Sequence, residues 1–181
     1  VTLVLIGPMG SGKTKLGRRV ATILGKPFVD TDRTIVAQHG TIADLFAQFG
    51  EAHFRSLERI AVEDALAQDA VVALGGGAIL NPDTQADLLH RRVALITVSA
   101  EAVAPRIVGS KRPLVADGIE SWKRITAARQ DIYERLATRT WDTSSRPLTR
   151  IAAEIADWAA SHDRAASHDR AGSDEVRGET T

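Results

Sequence analysis

Gly7-Pro-Met-Gly-Ser-Gly12-Lys13-Thr14 satisfies the G-x(4)-G-K-[ST] pattern, and these residue types at this spacing suit the cradling of phosphate. Glycines at 7, 10 and 12 let the backbone turn its N–H groups inward around phosphate oxygens. A helix expected to open at Lys13 adds the partial positive charge of its N-terminus. Lys13 would reach the β- and γ-phosphates, and the Thr14 hydroxyl would ligate Mg²⁺. The nucleotide-contacting set in this loop is therefore Gly10, Ser11, Gly12, Lys13, Thr14 and Lys15. A nucleoside triphosphate is the expected ligand.

The fate of the γ-phosphate is narrowed by what else the chain carries. A guanine-reading N-K-x-D is absent, since the only asparagine is Asn81, followed by proline. The only D-x-x-G is Asp169–Gly172, near the end of the chain, so a GTPase is not indicated. Motor and AAA-type ATPases need a longer chain. A small kinase remains, in which an acceptor sits beside the loop.

Candidates for handling that acceptor follow. Asp30 and Asp32 stand after a short strand, where open α/β sheets bind ligands. One acid could hold a metal-bound water and the other accept from an acceptor hydroxyl; equally, Asp32 suits a helix N-cap. Gly75-Gly76-Gly77 permits close backbone approach to a ligand, or simply turns the chain. Arg129 shares a helical face with Trp122, Ile125, Ile132, Tyr133 and Leu136, so its inward guanidinium needs an anion, either a salt-bridge partner or a ligand. Arg55, with Glu51 and Glu58 at i−4 and i+3, reads on spacing alone as a surface ion-pair residue. Gly109–Gly118 is a glycine-bounded basic loop that could close as a lid over about 109–119, with Arg112 stabilising transition-state charge.

Elements that would position these residues alternate along the chain. Strands are expected at Val1–Ile6, Phe28–Val29, Ala70–Leu74, Val93–Val98 and Trp141–Thr143. Helices are expected at Lys13–Leu24, Asp32–Gln38, Ile42–Gln48, Glu51–Gln68, Pro82–His90, Ala100–Val108, Ile119–Thr138 and Pro147–Ala160. Strand–helix alternation implies crossover connections and a parallel sheet covered on both faces. The expected architecture is α/β: a three-layer P-loop NTPase fold with a five-stranded parallel sheet, nucleoside-monophosphate-kinase-like, with a mobile lid.

Composition sets the outer bounds. The 181 residues carry 23 Lys+Arg against 23 Asp+Glu and no cysteine, which excludes disulfides, thiolate zinc and a cysteine nucleophile. Zero net charge disfavours a general nucleic-acid binder. No apolar run approaches the length a bilayer demands, and Val1–Ile6 lacks the flanks of a signal peptide, so a cytoplasmic protein is expected. From Ala160 the sequence Ala-Ser-His-Asp-Arg-Ala repeats and then turns polar, so one domain at 1–160 and a disordered tail at 161–181 are expected. The tail holds three arginines and five acids, which leaves 20 basic against 18 acidic residues in the domain.

Together these motifs resemble the shikimate kinase family. The resemblance rests on the phosphate loop with Lys13-Thr-Lys-Leu-Gly-Arg-Arg19, on Phe28-Val-Asp-Thr-Asp32 and on Gly40-Thr-Ile-Ala-Asp-Leu-Phe46. It extends through Gly50–Glu58, Leu74-Gly-Gly-Gly-Ala78, Arg112-Pro-Leu114 and Arg129-Gln-Asp-Ile-Tyr133, covering about residues 1–160. It implies ATP-dependent phosphorylation of the shikimate 3-hydroxyl, with Mg²⁺, by a monomer. Asp32 matches the acid that binds the shikimate hydroxyls and orients or deprotonates the 3-hydroxyl, and Asp30 the acid near Mg²⁺. Arg55 and Arg129 match the pair that grips the shikimate carboxylate, which displaces the surface reading of Arg55. Gly76 and Gly77 match backbone contacts to the substrate, and Arg112 the lid arginine that reaches the phosphates. Arg106 resembles the arginine that packs on adenine, and Ser144–Pro147 the loop flanking it. Thr14-Lys15 stands where the family commonly has Ser-Thr, and Ser144-Ser145 where larger polar residues are usual. Gluconate or a nucleoside monophosphate is the alternative acceptor, and a non-catalytic ATP-binding module the alternative class.

Overall fold

The central strand alternates its side chains between two cores. In β1 (Leu3–Ile6), Leu3 and Leu5 enter one apolar cluster, and Val4 and Ile6 enter another on the opposite face. All four are essentially buried, which explains why the strand reads as an unbroken apolar run rather than an alternating one. A computed structural model describes residues 2–107 and 118–175, with side chains described as far as Ser161. The expected lid at 109–119 therefore lies mostly outside the described residues, Arg112 included.

Four further strands complete the sheet: β2 (Phe28–Asp30), β3 (Val71–Ala73), β4 (Arg92–Thr97) and β5 (Arg139–Asp142). Their order is β2-β3-β1-β4-β5 and every pairing is parallel. Leu3 aligns with Val71 on one side and Arg92 on the other. The carboxyl ends of all the strands thus share one edge, and the expected site segments follow those ends. Chain crossing from β3 to β4 passes over β1, making that end of β1 the crevice where open parallel sheets bind ligands.

Helices α1 (Lys13–Leu24) and α7 (Leu148–Glu175) cover the face holding Leu3 and Leu5, with Leu16, Val20, Ile151 and Ile155 packed there. The opposite face takes Val62 and Leu66 from α3 (Ile42–Leu66) and Tyr133 and Leu136 from α6 (Ile119–Leu136). The remaining helices are α2 (Thr31–His39), α4 (Pro82–Leu88) and α5 (Ala100–Ile107). The expected three-layer architecture is the one observed.

Some local details differ from the sequence pattern. The two helices expected at Ile42–Gln48 and Glu51–Gln68 form one run interrupted only by a non-helical Gly50. A 3-10 turn at Ala78–Leu80 follows the triple glycine. Asp30, rather than Asp32, is the N-cap of α2, because its extended backbone lets Oδ1 accept the Arg33 N–H at 3.2 Å. Helix α7 continues past Ser161, where composition places the tail, to Glu175. No described helix is long and apolar enough to cross a membrane.

Candidate active site

Between β1 and α1 the phosphate loop takes a shape open to glycine at two key points. Gly10 and Gly12 lie at φ 78° and 93°, left-handed conformations that side chains rarely adopt. Gly12 caps α1 with no side-chain acceptor, and no acid occupies the first turn, so the leading N–H groups stay available to an anion. Outward carbonyls of the loop are each held by a different element. Trp122 Nε1 donates to Met9 O at 2.8 Å, Arg106 to Gly10 O at 3.1 Å, and Thr143 Oγ1 to Ser11 O at 2.8 Å. Fixing three successive carbonyls outward turns their peptide N–H groups to the opposite edge, where the Ser11 N–H donates to Pro8 O at 3.3 Å. Lys13 Nζ donates to Gly7 O at 2.7 Å and to Pro8 O at 2.9 Å, spanning the loop from within.

Beside the loop, Thr14 Oγ1 donates to Asp30 Oδ2 at 2.6 Å. A hydroxyl and a carboxylate in contact at a phosphate loop form a hard-oxygen donor pair, which suits Mg²⁺ held with phosphates and water. Asp30 thus has two tasks, one oxygen capping α2 and the other facing Thr14.

A second cluster forms around Gly75–Gly77, directly after β3. A methyl group at Gly75 would lie 2.4 Å from Asp32 Oδ1 and 2.9 Å from Glu58 Oε1; one at Gly77 would lie 2.4 Å from an Arg55 nitrogen. Glycine at 75 and 77 lets these side chains lie this close to the backbone, whereas a side chain at Gly76 would meet only ordinary contacts. Arg129 donates to Gly76 O at 2.9 Å, and Tyr133 Oη to the same oxygen at 2.7 Å. Thr31, wholly buried, accepts the Gly75 N–H at 3.1 Å and so ties the loop to the start of α2, next to Asp32.

Charge within this cluster is tightly arranged. Arg55 donates to Glu58 at 2.6 Å and, through its other nitrogens, to Glu51 at 3.0 and 3.3 Å. Burial pushes the Glu58 carboxyl above its ordinary value; the Arg55 guanidinium opposes this without cancelling it, and the Asp32 charge adds to the rise. Burial works against the Arg55 charge too, yet its two glutamates outweigh it and hold the guanidinium above its usual range. Glu58 is the more desolvated partner, its side chain 5% exposed against 23% for Arg55.

The phosphate loop, with Asp32 and Gly76 of the second cluster, lines one cleft of about 1100 Å³ together with Lys13, Thr14, Asp30 and Arg106. Arg55, Gly77 and Arg129 are not among its lining residues, and Arg129 lines a separate small hollow with Met9, Trp122 and Tyr133. The sequence candidates are therefore largely assembled in one place. Lys15 also lines the cleft, exposed, in the first turn of α1. Arg106 reaches Gly10 O of the phosphate loop and Thr143 O, which places it at the phosphate-loop end of the cleft. Pro147 is exposed, and its carbonyl accepts from Arg150 and Ile151 to start α7, while the adjacent Leu148 lines the cleft. Arg55 makes both ion pairs that its spacing suggests, but it is half-buried and packs against Gly77. In the sequence Glu58 is visible only as its ion-pair partner; its spacing from Phe54 and Val62 on the buried face of α3 marks it as inward. Tyr133 and Trp122 lie in the apolar stripe of α6, and nothing in that stripe reveals that their polar atoms grip loop carbonyls.

A parallel sheet whose first strand opens into this phosphate loop, with acids and arginines across a shared cleft, defines the class of small P-loop kinases. The shikimate kinase family model matches residues 9–160, and the chain belongs to that family. A shikimate kinase of Streptomyces coelicolor is 43% identical over 159 residues, covering 86% of this chain and 93% of that one. A shikimate kinase from Acinetobacter baumannii, determined in complex with shikimate, superposes with a TM-score of 0.83 at 30% identity over 89% of this chain and 93% of its own. One from Bacteroides thetaiotaomicron gives 0.78 at 26% identity, covering 87% and 97%.

Proposed function

We propose that this protein transfers the γ-phosphoryl group of ATP to the 3-hydroxyl of shikimate, giving shikimate 3-phosphate and ADP. The observation that carries the proposal is the convergence of Asp32, Arg55 and Arg129 on the Gly75–Gly77 loop, beside the phosphate loop. A hydroxy acid needs cations for its carboxylate and a carboxylate for its hydroxyls. Arg55 and Arg129 supply the first, Asp32 the second.

Phosphoryl transfer asks the protein chiefly for positioning and for charge neutralisation. The loop N–H groups and Lys13 hold the triphosphate, with Arg106 and the segment at Pro147 flanking the nucleotide base. Thr14 and Asp30 would hold Mg²⁺, which when bound neutralises charge on the phosphates. Asp32 accepts a hydrogen bond from the acceptor hydroxyl and orients its lone pair toward the γ-phosphorus, taking the proton as transfer proceeds. Arg55 and Arg129 fix the far end of the acceptor, and the Gly76 and Gly77 backbone supplies hydrogen-bonding groups between. Arg112, outside the described residues, is assigned to the phosphates by its place in the sequence. The Asp32→Ala protein should lose about 10²–10⁴-fold in turnover while still binding ATP, measured by ADP release and nucleotide titration. Near-normal turnover would overturn the assignment.

A further inference from the structure

We propose that Tyr133 is a positioning residue for the acceptor: together with Arg129 its hydroxyl locks the Gly76 carbonyl and so fixes the Gly76–Gly77 peptide that faces the hydroxy acid. The inference rests on the acceptor site proposed above and adds a residue to it from the core of α6.

Tyr133 is 1% exposed and its ring belongs to the apolar cluster with Leu136, Val72 and Leu74. A buried tyrosine needs a partner for its hydroxyl, and a satisfied core residue is the bland explanation. Two features point further. First, the acceptor it uses is shared: Gly76 O takes the Tyr133 hydroxyl at 2.7 Å and Arg129 at 2.9 Å. That carbonyl would be satisfied by Arg129 alone, so the second donor adds restraint rather than repairing a deficit. Second, the peptide so held is trans, which puts the Gly77 N–H on the edge away from both donors. Among the described residues no protein acceptor takes that N–H, and the Gly77 α-carbon lies against Arg55. The plane is thus fixed from the α6 side and offers a donor on the other.

Sharing the carbonyl also defines Arg129. With one nitrogen bonded to Gly76 O, the guanidinium is anchored on the loop, and Tyr133 fixes the oxygen on which it is anchored. Burial holds the Tyr133 phenol up at about 12, so the hydroxyl remains a donor at any pH used to assay the protein. Tyr133→Phe removes one hydroxyl, keeps the ring in the core and leaves Gly76 O bonded to Arg129. A purely structural hydroxyl would then show little change in any binding constant.

The test compares wild type and Tyr133→Phe in three measurements: kcat/KM for shikimate, KM for ATP, and amide exchange at Gly76 and Gly77. A lost hydrogen bond of ordinary strength corresponds to about a five-fold effect. The expected result is about a five-fold fall in kcat/KM for shikimate and about five-fold faster exchange at the two glycines, with KM for ATP within about two-fold. Unchanged exchange and an unchanged kcat/KM for shikimate would overturn the proposal, as would an equal rise in both Michaelis constants. If wild type does not phosphorylate shikimate, the functional reading fails by itself. The exchange rates still decide whether Tyr133 restrains the loop.

Discussion

Replacing Gly77 by alanine should disable the acceptor site while sparing the nucleotide site. Gly77 has φ −100°, so alanine meets no backbone strain there. Its methyl carbon would lie 2.4 Å from one Arg55 nitrogen and 2.9 Å from both the guanidinium carbon and the second nitrogen. Carbon–nitrogen contacts need roughly 3.5 Å, so the guanidinium must retreat by about 1 Å. The obstructing atoms are the end of a flexible side chain, and the fold survives by moving them. The bond they make to Glu58 at 2.6 Å does not survive intact. A charge-assisted hydrogen bond contributes about 1.5–3 kcal/mol, and losing that positioning of Arg55 corresponds to about a 10- to 150-fold rise in KM for shikimate. Steady-state assays coupled to ADP release, with each substrate varied in turn, read this directly. KM for ATP should stay within about two-fold, and the melting temperature should fall by about 3–12 °C, as losing that bond in a chain of this size implies. A Gly77→Ala protein whose KM for shikimate matches wild type would refute the close packing of Arg55 on the loop and the role drawn from it.

Other expectations follow from the same geometry. Asp30→Asn should raise the Mg²⁺ concentration for half-maximal rate by about ten-fold, read from a metal titration. It should cost little stability, because asparagine caps a helix about as well as aspartate. Glu58 gives opposite pH trends for binding and folding. Its pKa is raised on folding, so its contribution to stability is fully present below the ordinary 4.5 and is lost as pH rises through the shifted value. Shikimate affinity runs the other way, falling as acid protonates Glu58 and weakens its hold on Arg55. Titrating both from pH 4 to 8 in wild type and Glu58→Gln should show a diminished acidic limb of binding in Glu58→Gln, where the Asp32 carboxylate still needs its charge; an undiminished limb contradicts the assignment.

Legibility of the fold and of the site has different physical sources. Strand β1 and its loop are plain in the sequence because an apolar run, three glycines and a lysine each act locally. Asp30 and Asp32 can be placed near the strand ends, but their division of labour cannot. Which of the two caps α2 depends on where the extended backbone of β2 stops, a boundary set by pairing with β3. Arg55 shows the limit most clearly. Its spacing to Glu51 and Glu58 is that of a solvated ion pair, and only the packing of α3 on the sheet face that holds Val4, Ile6 and Val72 turns Glu58 inward and Arg55 onto Gly77. Resemblance to the family assigns Arg55 to the acceptor where spacing does not. Tyr133 and Trp122 are legible as core and silent as donors, since helical periodicity reports where a ring packs and not what its polar atom reaches.

The central claim is that the two clusters serve one transfer reaction to one acceptor class. Its most direct test is ADP release measured with shikimate, gluconate and nucleoside monophosphates in parallel, at equal ATP and Mg²⁺. Release stimulated strongly by shikimate alone, with phosphate appearing on the 3-hydroxyl, is the predicted result. Stimulation by gluconate or a nucleotide in its place, or ATP binding with no stimulation by any acceptor, would contradict it.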